Sequence, residues 1–584
     1  MKAYISELVT QSIQELFGED GSQALATSFF DVSYPKAEFG DYATNIAMVL
    51  YKKLKDAPAG GPAGLAEQLS SKIKELDHKE TFEKVENAGG FINFYITSAA
   101  KASLIGQMAN QISIAPDENG PKKVVFEYSS PNTNKPLHIG HTRNDTYGVA
   151  CVNLLKAIGY NVVTCEIIND RGIHIMKSVL MYMKHGKGKT PESENIKPDH
   201  FVGKFYVMFA EAASESEVKE KELLEEAQEL LRKWEAGDEE VRKVWKQMNA
   251  WWYEGVKQTY EREGSHFDEA QYESEVYDKG RDLVLAGVEK GVFTKEEDGG
   301  ISVDLTEAKL DKKYLLRKDG TTIYITQDMY LWDLRNQKHH PDLALVTTAA
   351  EQAYHFAVLA KLFELLEYSW ARNFKHLPYE HVYLGKDKMS SRGGNTIAAD
   401  DLLATIKDRV RETMKGLDKI KGTADDETLV EQVAFGAIKY GYLKYEPNTR
   451  IYFDPEQTIA LEGNTGPYIQ YAHARIRSII NKAEQFELQA PENLSEPAEL
   501  ELMRWLQYYQ EKIVLDAALE YKPNSLCNYL FELASKFGTF YNAVPVLATE
   551  DSNLRNQRLT LLTAVANTIE HGLNLLGIEA PKEM

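Results

Sequence analysis

Apolar and polar positions change period along this chain, and the changes mark its elements. Lys122-Lys-Val-Val-Phe-Glu-Tyr128 is a short apolar run of the kind a strand buried on both faces requires. Thr142 to Gly159 repeats its apolar residues at helical spacing and stops at a glycine, so a helix follows that strand closely. Gly89-Gly-Phe-Ile-Asn-Phe-Tyr-Ile96 alternates, which predicts a half-buried strand, and it follows helical patterns broken by the turn-rich Ala57-Pro-Ala-Gly-Gly-Pro-Ala-Gly64. From 122 to about 395 strands alternate with helices, and a polar, helix-rich stretch interrupts them. That stretch carries Trp234, Trp245, Trp251 and Trp252, whose rings are expected to pack helices together. Beyond about 400 the period is helical almost throughout.

Four regions follow from these periods. Residues 1–115 form a small α+β domain that ends at Asp117-Glu-Asn-Gly-Pro121, and residues 120–395 form a Rossmann-like α/β domain with an insertion at about 181–275. Residues 396–455 are a helical stem, and residues 456–584 an α-helical bundle. A chain of 584 residues is too long for one core, and about three or four domains are the expectation.

Composition removes several classes of function. No apolar run approaches the roughly 20 residues of a membrane span, and Met-Lys-Ala-Tyr-Ile-Ser-Glu lacks the apolar region of a signal peptide, so a soluble cytoplasmic protein is expected. Cys151, Cys165 and Cys527 are scattered without a Cys-x-x-Cys pair, which indicates neither a disulfide framework nor zinc. The net charge of minus 21 argues against indiscriminate binding to nucleic acid. Net charge averages over regions, however: Glu211 to Glu240 holds twelve acidic and four basic residues, as a solvated helical face would, which leaves room for local basic surfaces elsewhere.

The candidate chemistry lies in the turn after the first apolar strand. His138 and His141 bracket Gly140 at the predicted helix start, a spacing that puts both imidazoles beside the positive helix end, where they can donate to one phosphate. A second candidate, Gly385-Lys-Asp-Lys-Met-Ser-Ser-Arg-Gly-Gly394, follows the strand-like His381-Val-Tyr-Leu384 and combines cations with glycines. His185-Gly-Lys-Gly-Lys-Thr190 is not a P-loop, because Met183 stands where glycine is required. The residues alone leave an adenylylating enzyme of small molecules and a catalytically silent RNA-binding protein open as alternatives.

Together, His138-Ile-Gly-His141 and Lys388-Met-Ser-Ser-Arg392 resemble the two signature motifs of class I aminoacyl-tRNA synthetases. Four further stretches narrow the resemblance to the arginyl family. These are Ser129-Ser-Pro-Asn-Thr-Asn-Lys135, Asp319-Gly-Thr-Thr-Ile-Tyr-Ile-Thr-Gln-Asp328, Glu462-Gly-Asn-Thr-Gly-Pro-Tyr-Ile-Gln-Tyr-Ala-His-Ala-Arg475, and the closing Gly577-Ile-Glu-Ala-Pro-Lys-Glu-Met584. Phe39-Gly-Asp-Tyr42 is similar to its first domain.

The resemblance implies that arginine is activated by ATP, with magnesium on the phosphates, and then transferred to tRNA. It implies that His138 and His141 hold the α-phosphate, that Gly140 leaves room for adenine, and that Lys388, Met389 and Ser390 meet the triphosphate. Ser391 replaces the second lysine of the general motif, a loss that Lys135 is expected to offset. Glu127, Tyr324 and Asp328 would hold the arginine guanidinium, the last two at a strand end or the turn after it, while Asn132 and Gln352 position the α-amino end. The family commonly has arginine where Gln327 stands. Tyr468, Tyr471, Tyr541 and Met584 are the anticodon candidates, Phe39 and Tyr42 the candidates for the outer corner of tRNA, and a monomer is expected.

Overall fold

The computed structural model describes residues 1–28, 30–384, 387–388, 397–416, 426–483 and 485–584, with the side chains of residues 37, 384, 387, 388 and 416 outside that description. The chain divides into two compact units, the first made of Met1–Ala115, Arg475–Ile513 and Glu532–Ile569, the second of Pro116–Ala474, Val514–Phe531 and Glu570–Met584. The 456–584 region is mainly helical, and its residues are shared between the two.

The first unit contains a four-stranded antiparallel sheet of Val32–Ser33, Tyr42–Thr44, Phe91–Ile96 and Phe82–Ala88, in that spatial order. Ile5, Leu8, Leu69, Ile92 and Phe94 bury its apolar face against the helices Lys2–Ala26 and Gly61–Leu76. Tyr42 is fully buried in that core, and its hydroxyl donates to Glu511 Oε2 at 3.0 Å. The RNA contact expected of Tyr42 is therefore corrected: its place in the sheet points the ring into the core.

The second unit is built on a five-stranded parallel sheet. Its strands are β1 (Lys123–Glu127), β2 (Asn161–Ile168), β3 (Glu269–Tyr272), β4 (Leu343–Ala349) and β5 (Phe374–Tyr379), in the order β5-β4-β1-β2-β3. Val124, Val125 and Phe126 of the central β1 are fully buried, which is why that strand reads as a continuous apolar run. The chain moves one way from β1 to β3 and returns to the other side of β1 with β4, so the order reverses between β1 and β4. In doubly wound sheets, ligands lie beyond the carboxyl ends of the strands at such a reversal.

Helix α1 (Ile139–Ala157) follows β1, and four longer helices follow β2: α2 (Ile173–Met181), α3 (Pro198–Ser214), α4 (Glu217–Glu235) and α5 (Glu239–Glu263). These four share a core with Phe201, Phe205, Trp234, Trp251 and Trp252, while Trp245 packs on it. The sheet resumes at β3, inside the stretch read as insertion, because Glu-Ala-Gln-Tyr is an edge strand with one neighbour and no apolar run. Helix α6 (Tyr324–His339) precedes β4, and α7 (Ala353–Leu365) follows it. The stem contributes α8 (Ala399–Gly416) and α9 (Glu427–Leu443), together with the strand Ile451–Phe453, which pairs in parallel with Val382–Leu384. Among the described residues no helix is long and apolar enough to cross a membrane.

Candidate functional site

Helix α1 starts at the carboxyl end of β1, and its start is capped by imidazoles. His138 occupies the N-cap with extended backbone, and its Nδ1 accepts from the Gly140 amide at 3.1 Å. His141 Nδ1 accepts from the His138 amide, also at 3.1 Å, completing a reciprocal capping box. The two rings stack with centroids 3.8 Å apart. A Cβ at position 140 would stand 3.0 Å from His138 Cε1, so glycine is what lets the capping ring fold over the helix start.

This geometry sets the tautomer. A ring nitrogen that accepts from a backbone amide carries no proton, so each neutral imidazole bears its hydrogen on Nε2. Burial, with Lys135 adding to it, pushes His138 down to about 3, and burial with His138 and Lys135 nearby holds His141 well below its ordinary value. Both rings are thus neutral Nε2–H donors at the positive end of a helix, a site suited to an anionic phosphoryl group.

The loop between β1 and α1 is held from several sides. Ser129 and Ser130 both take left-handed backbone, at φ 72° and 65°. Amides anchor their carbonyls, with Asn144 Nδ2 donating to Ser129 O at 3.3 Å and Asn169 Nδ2 to Ser130 O at 3.1 Å. Asn132 bridges Asn169 and is exposed at the carboxyl edge of the sheet. Trp252 Nε1 donates to the Lys135 carbonyl at 2.8 Å, while Gly203 of α3 lies against Pro136, where a Cβ would come to 2.6 Å. Lys135 itself is half-buried, and burial lowers its pKa.

The carboxylates expected to meet a guanidinium are found near the same edge. Glu127 ends β1 and is buried, and its carboxylate pairs with Arg335 of the same chain while Oε1 accepts from the Ser130 hydroxyl at 3.2 Å. Tyr324 and Asp328 lie in the first turns of α6, not at a strand end. Tyr324 is 75 % exposed, and Asp328 Oδ2 is 2.6 Å from His355 Nε2 at the start of α7. Gln352 is exposed in the turn after β4. Gln327 has a role in the fold, because its amide donates to the Tyr277 carbonyl at 3.1 Å.

Sequence reasoning missed Glu273. It directly follows β3 and is buried, and burial pushes it up to about 7 against the opposing pull of Arg171, with Asp170 and Asp328 adding to the rise. No motif marks it, and only the position of β3 at the sheet edge brings it to this end of the strands.

Lys388 pairs through its backbone with Tyr383, but its side chain, together with Met389 and Ser390, lies outside the described residues. Of the RNA candidates, Phe39 is 46 % exposed in the first unit, as is Tyr541 at 39 %, whose ring lies 3.9 Å from the Arg475 guanidinium. In the second unit Tyr468 is half-buried with its ring 5.9 Å from Phe531. Met584 is half-buried beside Tyr471 and packs against the apolar cluster of α8 and α9. One described group of three side chains has metal-ligating chemistry, Asp199, His200 and Asp400, but Lys197 Nζ stands 2.7 Å from Asp400 and Arg262 3.2 Å, so protein cations already balance it.

The chain matches three families along its length: tRNA synthetases class I (R), catalytic domain, over residues 104–454; the DALR anticodon binding domain over 469–584; and the arginyl tRNA synthetase N terminal domain over 3–96. It is 38 % identical over 600 residues to the arginine–tRNA ligase of Bacteroides fragilis, covering 99 % of this chain and 98 % of that one. The corresponding ligase of Treponema denticola is 38 % identical over 557 residues, covering 93 % and 92 %. Among solved structures, the arginyl-tRNA synthetase of Thermus thermophilus shares the fold with a TM-score of 0.82 at 24 % identity, and all of each chain is covered. A capped pair of histidines at a sheet reversal, framed by catalytic, N-terminal and anticodon-binding matches, leaves one conclusion: the chain belongs to the arginyl-tRNA synthetase family.

Proposed function

We propose that the chain works as an arginine–tRNA ligase through the helix start at His138 and His141. The arginine carboxylate attacks the α-phosphate of ATP; the new carboxylate–phosphorus bond forms as the bond to pyrophosphate breaks, giving arginyl-adenylate. A ribose hydroxyl of the terminal tRNA adenosine then takes the arginyl group, and AMP leaves. The observation that carries this reading is the pair of Nδ1 caps, which leaves two neutral Nε2–H donors where negative charge builds up.

Lys135 and Lys388 neutralise the triphosphate, with Met389 and Ser390 beside them. Magnesium travels with the ATP phosphates, as such ions commonly do in phosphoryl-transfer sites. Asp328, Glu127 and Tyr324 receive the guanidinium, since a planar fork is best met by carboxylates, and Asn132 and Gln352 place the amino end. Glu273 adds negative charge to the same pocket. Phe39, Tyr541, Tyr468, Tyr471 and Met584 serve the RNA, the first two through exposed rings. The working form is a cytoplasmic monomer.

The test is arginine-dependent exchange of pyrophosphate into ATP, measured with and without tRNA, followed by charging. Exchange that requires both arginine and tRNA, and charging by arginine but not lysine, is expected. Exchange with another amino acid, or with none, would overturn the reading.

A further inference from the structure

Glu127 does not face the pocket alone. Arg335, 1 % exposed, donates through Nη1 to Glu127 Oε2 and through Nη2 to Gln271 Oε1 at 2.9 Å. Its guanidinium carbon lies 4.6 Å from the ring centroid of Trp332. Contacts from the ends of β1 and β3 and from its own helix α6 therefore fix this one side chain. Such an arginine is expensive to desolvate, and a surface ion pair would serve stability as well without that cost. Its place in α6 is informative: Arg335 follows Asp328 by two helical turns, on the same face. One helix thus supplies both a carboxylate for the incoming guanidinium and the cation that holds the second carboxylate.

We propose that Arg335 is a positioning residue for arginine recognition, holding the Glu127 carboxylate aimed so that its free lone pairs meet the substrate guanidinium. The proposal rests on the reading that Glu127 faces the substrate. An ionised carboxylate has about four acceptor positions, and Arg335 and Ser130 use only part of them. A buried carboxylate without a cation takes up a proton instead, and a neutral acid matches a guanidinium poorly. Glu273, buried close to Asp170 and Asp328, shows the tendency, since burial carries it up to about 7 despite Arg171. The other titratable groups around the pair are Asp328 on α6, Cys165 on β2, and Asp268 and Glu269 at β3.

The test uses the full-length chain with tRNA and follows arginine KM, ATP KM and kcat from pH 5.5 to 8.5. In Arg335→Met, arginine KM at pH 7 is expected to rise roughly tenfold or more. It should fall again as pH increases, because a buried carboxylate stripped of its cation keeps its proton to higher pH, while ATP KM stays near the parent value. Arg335→Lys should restore the pH profile and part of the affinity. Glu127→Gln should raise arginine KM without the new acid limb, and adding Arg335→Met to it should change KM by less than about threefold. An Arg335→Met enzyme with parental arginine KM and pH profile would overturn the proposal where Glu127→Gln raises KM. A parental KM in Glu127→Gln would instead remove Glu127 from the pocket, whatever Arg335 does. Should Arg335→Met fail to fold, the double variant, in which neither charge is left unpaired, decides: a clear further rise in KM over Glu127→Gln would mean that Arg335 acts by another route.

Discussion

Replacing His138 separates two functions that the structure places on one ring. Its Nδ1 caps α1 through the Gly140 amide, and its Nε2 is the proposed donor to the α-phosphate. Asparagine is among the best N-cap residues, and its side-chain oxygen can take the same amide, but its amide nitrogen does not reach the position of Nε2. His138→Asn should therefore stay close to the parent in stability. It should also lose about 100- to 1,000-fold in kcat, or about 2.7–4 kcal/mol of transition-state stabilisation. His138→Ala should lose the same rate and a further ~1 kcal/mol of stability, the ordinary value of a cap. The His141 bond to the His138 amide survives both changes, because it uses the backbone. Stability gives an independent check on protonation. The His138 pKa drops on folding from 6.5 to about 3, so between those values the unfolded chain holds the extra proton and stability falls as pH falls. The slope is about 1.4 kcal/mol per pH unit for one proton, and His138→Asn should remove it. Pyrophosphate exchange at saturating ATP and arginine, with tRNA present, and urea unfolding at pH 4 to 7 are the assays. A His138→Asn enzyme with kcat within about threefold of the parent would refute the donor role.

Three further outcomes are expected. Glu273→Gln should flatten the pH dependence of arginine KM near 7; in the parent Glu273 ionises through about 7, so affinity for the cationic substrate should rise with pH there, which titration of KM reads directly. The same group holds its proton in the folded chain and releases it at lower pH when unfolded, so its contribution to stability is present below 4.5 and lost as pH rises through about 7, and urea midpoints of the variant should lack that loss. Asp328→Asn should raise arginine KM roughly 10- to 100-fold, the equivalent of one charge-assisted bond, with little effect on ATP KM; a parental KM would take Asp328 out of the pocket. Phe39→Ala should weaken charging through tRNA KM and leave the melting temperature unchanged, whereas Tyr42→Ala should lower stability by about 3–5 kcal/mol, as core aromatics do; a stable Tyr42→Ala protein would contradict its burial.

What the sequence disclosed depended on how local each cause is. Strand β1 and helix α1 were legible because a continuous apolar run and a helical period each depend on neighbouring residues. The use of both histidines as caps was not, since histidine is no preferred N-cap and the role follows from ring orientation over Gly140. Tyr324 and Asp328 were expected at a strand end or the turn after it; packing of Ile325 and Met329 into the sheet core makes this stretch the start of α6 instead. Strand β3 and the buried Glu273 escaped notice because an edge strand of polar residues leaves no periodic mark. The partner of Glu127 is 208 residues away, a distance across which no local pattern carries information. Phe39 and Tyr42 look alike in sequence, and only the sheet decides that one ring faces solvent and the other the core.

The insertion between β2 and β3 gains a purpose from the contacts it makes. On one side, Trp252 of α5 takes the Lys135 carbonyl and Gly203 of α3 admits Pro136, so insertion helices hold the approach to the histidine turn. On the other side, Asp400, in the first turn of α8, is held by Lys197 Nζ at 2.7 Å, His200 Nε2 at 3.1 Å and Arg262 Nη1 at 3.2 Å, all from α3, α5 or the residue before α3. Burial alone would push the Asp400 carboxyl up, yet bonds from His200 and Lys197 hold it well below the usual range. Between these two anchors the backbone joins directly, the Ala399 amide donating to Leu137 O at 2.9 Å and the Ile139 amide to Ile397 O at 3.4 Å. Residues that follow the second motif are thus paired with residues that open the first, although about 260 positions separate them in the chain. The parallel sheet brings the ends of β1 and β4 together, but it does not fix this pairing. The insertion's tryptophan and glycine, with Lys197, His200 and Arg262, hold the two sides of it, so a polar stretch without a signature motif helps to anchor the turn at His138 to the start of α8.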